Sequence, residues 1–400
     1  MLYIFIIFLL LVLTYCYDYR GYDKGRNEWY LVCLLILIFV GGLRYRLGTD
    51  TIVYEDNYKY DFPSLSEYAS YDFESTRYGR GFILLAAIAR SISGNFVVLQ
   101  FLHAIFVNSV VFWFFKKYTQ HRFFAILLYF IFEYLYFTFE IMRESCAVSM
   151  FLIGWQYFLA NKWGKYYICA IIAVLFHPSA LILFVLPIFN LPIFRPFFRF
   201  GIWYWSMVGA VLVISAIISV KFFDIIRLIE LTDAQNYAAT YEDSYFGESK
   251  NLNILGFAVL ILREVLYVYI AIVLLRRKYV DDYIVDKLEY IVCISIYLTM
   301  MALSIRILDR FTNYISPFVI LAISEAMFSK IKLKSRNLIM SFTCWMLLIM
   351  PYISIKCYGY FTEDRDSGIK IIRKYYPYES VLNPVKNKER EMLYHAKRRY

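Results

Sequence analysis

The stretch after the second apolar run reads GLRYRLGTDTIVY and gathers Arg44, Arg46, Asp50 and Tyr54. Two guanidiniums beside the turn that Gly48 permits suit an anionic, oxygen-rich ligand such as pyrophosphate, because their forked donors match phosphate oxygens. A plainer arrangement uses the same charges as helix-end arginines at headgroup level, paired with Asp50. Spacing alone leans to the plainer one. Further on, Arg143-Glu144 opens an apolar run in FEIMRESCAVSM. An acid at a helix start complements the dipole, so Glu144 is accounted for, whereas a cation there needs an anion. For Arg143 that anion is either Glu140, three residues earlier, or a ligand.

His177 precedes Pro178 in FHPSAL, which pulls its backbone out of helical geometry. No Cys, Asp or second His stands at ligand spacing, so it is no metal site. It reads either as a core residue or as a functional group at a helix break. Arg306 and Arg310, in RILDRFTNY, are i,i+4 neighbours around Asp309, with Tyr314 one turn on. They form either a self-neutralising cluster or a clamp on phosphate. Glu133, Arg263 and Glu264 fall within apolar runs, where ionisable groups are costly and functional by default. An interhelical pair of Arg263 with Glu133 is the plainer and favoured account.

Walker A, GxGxxG, HExxH and GxSxG motifs are absent. The string Asp364-Arg365-Asp366 is too short a pattern, in the wrong setting, to be a metal site. Seven scattered cysteines without a CxxC pair read as small core residues.

The elements that must position these groups are membrane helices. The chain is 61% hydrophobic and 18% charged, well beyond the ~45–50% apolar share of soluble domains. Its aromatic fifth suits the two bilayer interfaces. A net charge of +10 reports orientation and anionic headgroups, and no basic-aromatic run resembles a nucleic-acid platform. Runs approaching the ~20 residues a crossing needs are 1–17, 28–43, 94–115, 123–139, 144–160, 202–223, 252–275, 288–308, 311–328 and 337–355. The first lacks a basic leader and cleavage site and reads as a retained span. Residues 81–93 are too short to span and read as interfacial.

Basic clusters at Arg20–Arg26, Lys116–Arg122, Lys162–Lys165, Arg276–Lys278 and Lys330–Arg336 belong inside by the positive-inside rule. That requires residues 165–194 to enter and return on one side, as two shortened helices meeting near His177-Pro178. The N-terminus, the acidic loop 224–251 and the C-terminal tail then lie outside. The expected fold is an all-α, polytopic helix bundle of about ten to twelve membrane segments. It comprises one transmembrane domain, 1–355, and a tail, 356–400.

Taken in order, GLRYRLGTDT..Y, MRES, FHPSA, RILDRFTNY and YPYES resemble the EpsG family of Wzy-type exopolysaccharide polymerases, from the chain's start to about residue 385. The family usually reads Asn-x-x-Arg-Gln where this chain has Glu140-Ile141-Met142-Arg143-Glu144; the arginine matches and the flanking amides do not. The resemblance implies a GT-C-like fold and a metal-independent glycosyltransferase, without cofactor, at the outer face of the bacterial plasma membrane. It would polymerise oligosaccharide units carried on undecaprenyl pyrophosphate. Membrane lipid, a chain-length regulator and a flippase of the same pathway are the partners implied.

On that reading Arg44, Arg46, Arg306, Arg310 and Tyr54 bind pyrophosphate and sugar, while Arg143 acts in catalysis with Asp50 or His177 as base. A ligase shares the donor and differs in acceptor. A transporter or flippase of lipid-linked glycans also fits spans and broken helices, though no paired inverted halves are visible. A non-catalytic scaffold of a polysaccharide assembly complex is the third reading.

Overall fold

The computed structural model describes residues 1–218, 254–278, 283–304, 306–329, 338–364 and 367–397. Among these the chain is helical, with isolated bridges and no strand. A helix satisfies its own backbone groups, which lipid demands. The chain divides into two units, Met1–Phe184 with Lys330–Tyr400, and Val185–Ser329.

The first unit holds α1 (Leu2–Leu13), α2 (Arg26–Gly42), α3 (Thr49–Tyr60), α4 (Arg80–Ile92), α5 (Phe96–Tyr118), α6 (Arg122–Tyr129), α7 (Leu135–Phe139), α8 (Met142–Leu159) and α9 (Trp163–Phe176). After α10 (Ile182–Phe189) come α11 (Ile202–Ile218), α12 (Ile254–Leu260), α13 (Tyr267–Lys278), α14 (Tyr283–Met301) and α15 (Asp309–Ser329) of the second unit. Finally α16 (Leu338–Phe361) and α17 (Lys388–Lys397) belong to the first unit again.

Five helices among the described residues are long and apolar enough to cross a membrane: Leu2–Tyr19, Phe96–Tyr118, Arg122–Phe139, Gly256–Arg276 and Asp309–Phe328. A sixth is formed if Pro178–Phe189 and Pro192–Phe198, bent by 110°, count together. The runs 28–43 and 144–160 also fall on helices, as do 288–301 on α14 and 338–355 on α16; α2 has 17 residues, α14 carries Asp286, Lys287 and Glu289, and many side chains in the first half of α16 lie outside the described residues. The run 202–223 is described only to residue 218. Loop 224–251, the side chains of Lys330–Arg336, and residues 365–366 of the rejected Asp364 string lie outside the described residues.

The short segment 81–93 is the 13-residue helix α4, with Phe82, Ile83, Ala86 and Ala89 buried and Leu84, Ile88 and Ile92 exposed. That division gives it one packed and one open face.

A π-helical turn ends one of the five long helices, at Thr14–Tyr19, and interrupts two others, at Phe130–Tyr134 and Ile261–Leu266. Each holds ionisable residues: Asp18, Glu133, and Arg263 with Glu264. Arg263 ion-pairs with Glu264 at 2.6 Å. The two are neighbours on one widened turn, and Glu133, the partner expected from the sequence, belongs to the other unit.

His177 is extended (φ −152°, ψ 131°) and ends α9, as its proline successor requires. The Tyr166 hydroxyl then donates to Leu183 O at 2.7 Å, and the Tyr167 ring stacks on Phe184. The chain therefore turns at His177 and returns alongside α9. The 110° bend lies farther on, between Phe189 and Pro192.

The first unit has two polar ends. At one, Arg26 pairs with Asp18 at 3.3 Å, Asp18 accepts from Phe124 N–H, Arg122 reaches Asn27, and Lys117 reaches Gln156. Two of the five basic clusters expected on one side of the membrane, 20–26 and 116–122, thus meet at this end, while Arg276–Lys278 belongs to the second unit and Lys330–Arg336 lies outside the described residues. The other end collects residues 43–50, 77–81, 139–143, 175–177 and the tail.

Candidate functional site

The second polar end is organised by Glu140. Its carboxylate accepts from Thr49 N–H at 2.9 Å, Thr49 Oγ1 at 3.0 Å and Asp50 N–H at 3.3 Å. Those amides open α3, where helical geometry leaves N–H groups without partners and the dipole favours an anion. Glu140 is therefore a cap supplied by another part of the chain, and it ties α3 to the corner before α8. The turn leading in depends on Gly48, at φ +85°, where a Cβ would come within 2.6 Å of Phe139 O.

Asp50 and Tyr54, four residues apart on α3, share a helix face. Tyr54 meets Arg143: Nε donates to the phenol oxygen at 3.4 Å, while Nη1 donates to Arg77 O at 2.8 Å. The guanidinium lies 4.8 Å from the centre of the Tyr78 ring. Arg143 is half-buried at the start of α8, aimed by an aromatic wall. Burial pushes the Tyr54 phenol up to about 12, partly opposed by Arg143. Tyr54 thus stays protonated at neutral pH, and its oxygen accepts from Arg143. The wall continues through Tyr58, Phe62, Tyr78, Phe82 and Met142, with Phe176 packed against it. That one cluster brings the start of α8 and the end of α9 to a common core.

His177 follows Phe176 and is buried, and its Nδ1 accepts from Ser179 N–H at 3.2 Å. The ring caps the short 3-10 turn Pro178–Leu181. Any proton transfer by His177 falls to Nε2. Close by, the backbone at Gly79 lies against α9, where a Cβ would meet Leu175 O at 2.3 Å.

The sequence paired Arg44 and Arg46 on one ligand, or each with Asp50. In the structure the two side chains have different neighbours. Arg44 is fully buried; one Nη donates to Gly41 O, the other to Met142 Sδ at 3.3 Å, and the guanidinium packs over Phe139. Burial lowers it to about 10. Arg46 donates through Nε and Nη2 to Glu391 at 2.8 and 3.0 Å, and through Nη1 to Glu55 at 3.0 Å. Two carboxylates occupy its fork, so Arg46 holds structure together. Arg306, opening a 3-10 turn, and Arg310, second residue of α15, belong to the second unit.

Sequence reasoning missed Arg77, Tyr78 and the tail. Tyr45 N–H bonds Glu379 O, Val381 N–H bonds Leu43 O, and Gly48 N–H bonds Lys374 O. Buried Arg390 donates to Glu379 at 2.8 Å and to Pro377 O at 3.0 Å. The signal was present in YPYES and in the apolar pair Leu393-Tyr394 after a charged run; both are buried on α17.

The arrangement, an anchored arginine among tyrosines with a carboxylate one turn away, is suited to anionic and sugar-bearing ligands. Comparison with protein families supplies the decisive observation: the EpsG family model matches residues 27–380. The chain belongs to the EpsG family. No curated protein and no solved structure matches it. As an EpsG-family chain with several helices able to cross a membrane, it is an exopolysaccharide-related membrane protein. The matched span runs from α2 to Ser380, the residue that bridges Arg44, so it takes in Glu140, Arg143, His177 and both units.

Proposed function

We propose that this EpsG-family protein is a membrane glycosyltransferase that polymerises oligosaccharide units carried on undecaprenyl pyrophosphate. The site faces the outside of the bacterial plasma membrane, in a GT-C-like bundle of ten to twelve membrane segments. The observation that carries this reading is the placement of Arg143. It is a permanent cation, half-buried and fixed from two directions by Tyr54 and Arg77 O. Such a group stabilises charge on a departing diphosphate without reorganising first.

In the reaction, an acceptor hydroxyl attacks the anomeric carbon of the donor unit. The bond from that carbon to the diphosphate oxygen breaks, and undecaprenyl pyrophosphate leaves with the electron pair. Asp50, on the helix face shared with Tyr54, takes the proton from the acceptor hydroxyl. Tyr54 positions Arg143. Glu140 holds both α3 residues in place.

Purified protein incubated with lipid-linked repeat units should give a ladder of longer glycans. Translocation of the lipid without elongation would establish a flippase. Single transfer to a different acceptor would establish a ligase.

A further inference from the structure

The second unit carries an ion cluster that the proposed reaction does not use. The short helix Pro192–Phe198 and the start of α11 form an elbow bearing Arg195 and Arg199. Each donates one Nη2 to Asp286, at 3.0 and 3.0 Å, and Arg276 from α13 joins them at 3.1 Å. Arg276 also pairs with buried Glu289, whose other oxygen accepts from Phe200 N–H. Lys287 lies beside them, bonded to Asn190. Among the described residues, four cations therefore stand around two carboxylates.

The arginines are held from behind and open in front. The Arg195 side chain is 59% exposed and that of Arg199 is 40% exposed. A guanidinium has five donors, and each of these two gives one to Asp286. Beside them, Leu191, Ile193, Ile202 and Trp203 are exposed, Ile193 at 75% and Trp203 at 63%. Exposed apolar and Trp side chains flanking arginines match the boundary between acyl chains and headgroups, where apolar groups enter lipid and guanidiniums meet phosphate.

We propose that the elbow of residues 191–205 is a docking site for anionic phospholipid. Arg195 and Arg199, fixed by Asp286, bind the headgroup phosphate, and Ile193 and Trp203 enter the acyl layer. Excess positive charge selects an anionic headgroup over a zwitterionic one. Asp286 keeps the two forks from folding back onto the protein.

Native mass spectrometry of the full chain in detergent, with phosphatidylglycerol or phosphatidylcholine of identical acyl chains, tests this. Phosphatidylglycerol should be retained and raise Tm. The Arg195→Gln/Arg199→Gln variant should bind it about thirtyfold more weakly, as expected for losing two basic contacts to an anionic surface. Arg195→Lys/Arg199→Lys, which keeps the charge, should retain the lipid. Equal retention of both lipids overturns the proposal, as does undiminished binding in the glutamine variant. So does equal stabilisation by inorganic phosphate, which would mark a free-anion site. Where the glutamine variant does not fold, the wild-type lipid comparison decides alone.

Discussion

Glu391 closes a bidentate ion pair on Arg46 across 345 positions of sequence, with both of its oxygens engaged at 2.8 and 3.0 Å. The first prediction follows from it. Both side chains are mostly buried, and Glu55 completes the network. Double-mutant analysis of Arg46→Gln and Glu391→Gln should show coupling of about 1–2 kcal/mol in thermal stability, more than an exposed pair gives. Strict additivity of the two changes would show that the tail is not held by this bond.

Arg143→Lys should cut polymer formation by about 10²-fold or more while leaving expression and Tm near wild type, since lysine cannot offer two fixed donors to a diphosphate. The check is the yield of elongated glycan per folded molecule. Normal yield removes Arg143 from the reaction.

For His177 the structure separates its two nitrogens. Asparagine places an acceptor near the Nδ1 position, and glutamine near Nε2. His177→Asn should therefore keep the cap to Ser179 and preserve Tm, whereas His177→Gln should lose about 1 kcal/mol of stability. A role for Nε2 in proton transfer would lower turnover in the asparagine variant despite its intact fold. Undiminished turnover there leaves His177 as a cap only.

The contact of Gly79 with α9 leads to a fourth prediction. Gly79→Ala should destabilise by about 1–3 kcal/mol, because the obstruction is backbone Leu175 O and cannot swing aside. Gly94→Ala, with nothing within 4 Å of the new methyl, serves as the control and should be near neutral. Comparable Tm values for the two variants would contradict the packing.

The broad fold was legible because lipid imposes one rule on every span, so apolar runs read as helices. His177-Pro178 was equally legible, since proline constrains its predecessor whatever the tertiary context. Arg44 and Arg46 were harder. Two arginines at i,i+2 look equivalent in sequence, yet Arg44 is buried against Met142 and Phe139, and Arg46 faces Glu55 and Glu391. Glu391 and Glu140 reach their partners only through the fold, and no local pattern announces either one. The π turns were hidden for another reason: one inserted residue leaves no compositional mark, and the ionisable residues on these turns read equally well as charges within a regular helix.

The hydroxyl of Tyr3 donates to Tyr375 O at 2.9 Å, so the beginning of the first long helix and the segment after α16 sit at one end of the first unit. Two points of a chain on the same side of a bilayer are separated by an even number of crossings. Parity therefore constrains everything between residues 3 and 375. Counting residues 178–198 as a lone crossing rather than a hairpin changes the number of crossings required elsewhere by one. Reporters fused near either terminus should consequently answer with the same sidedness.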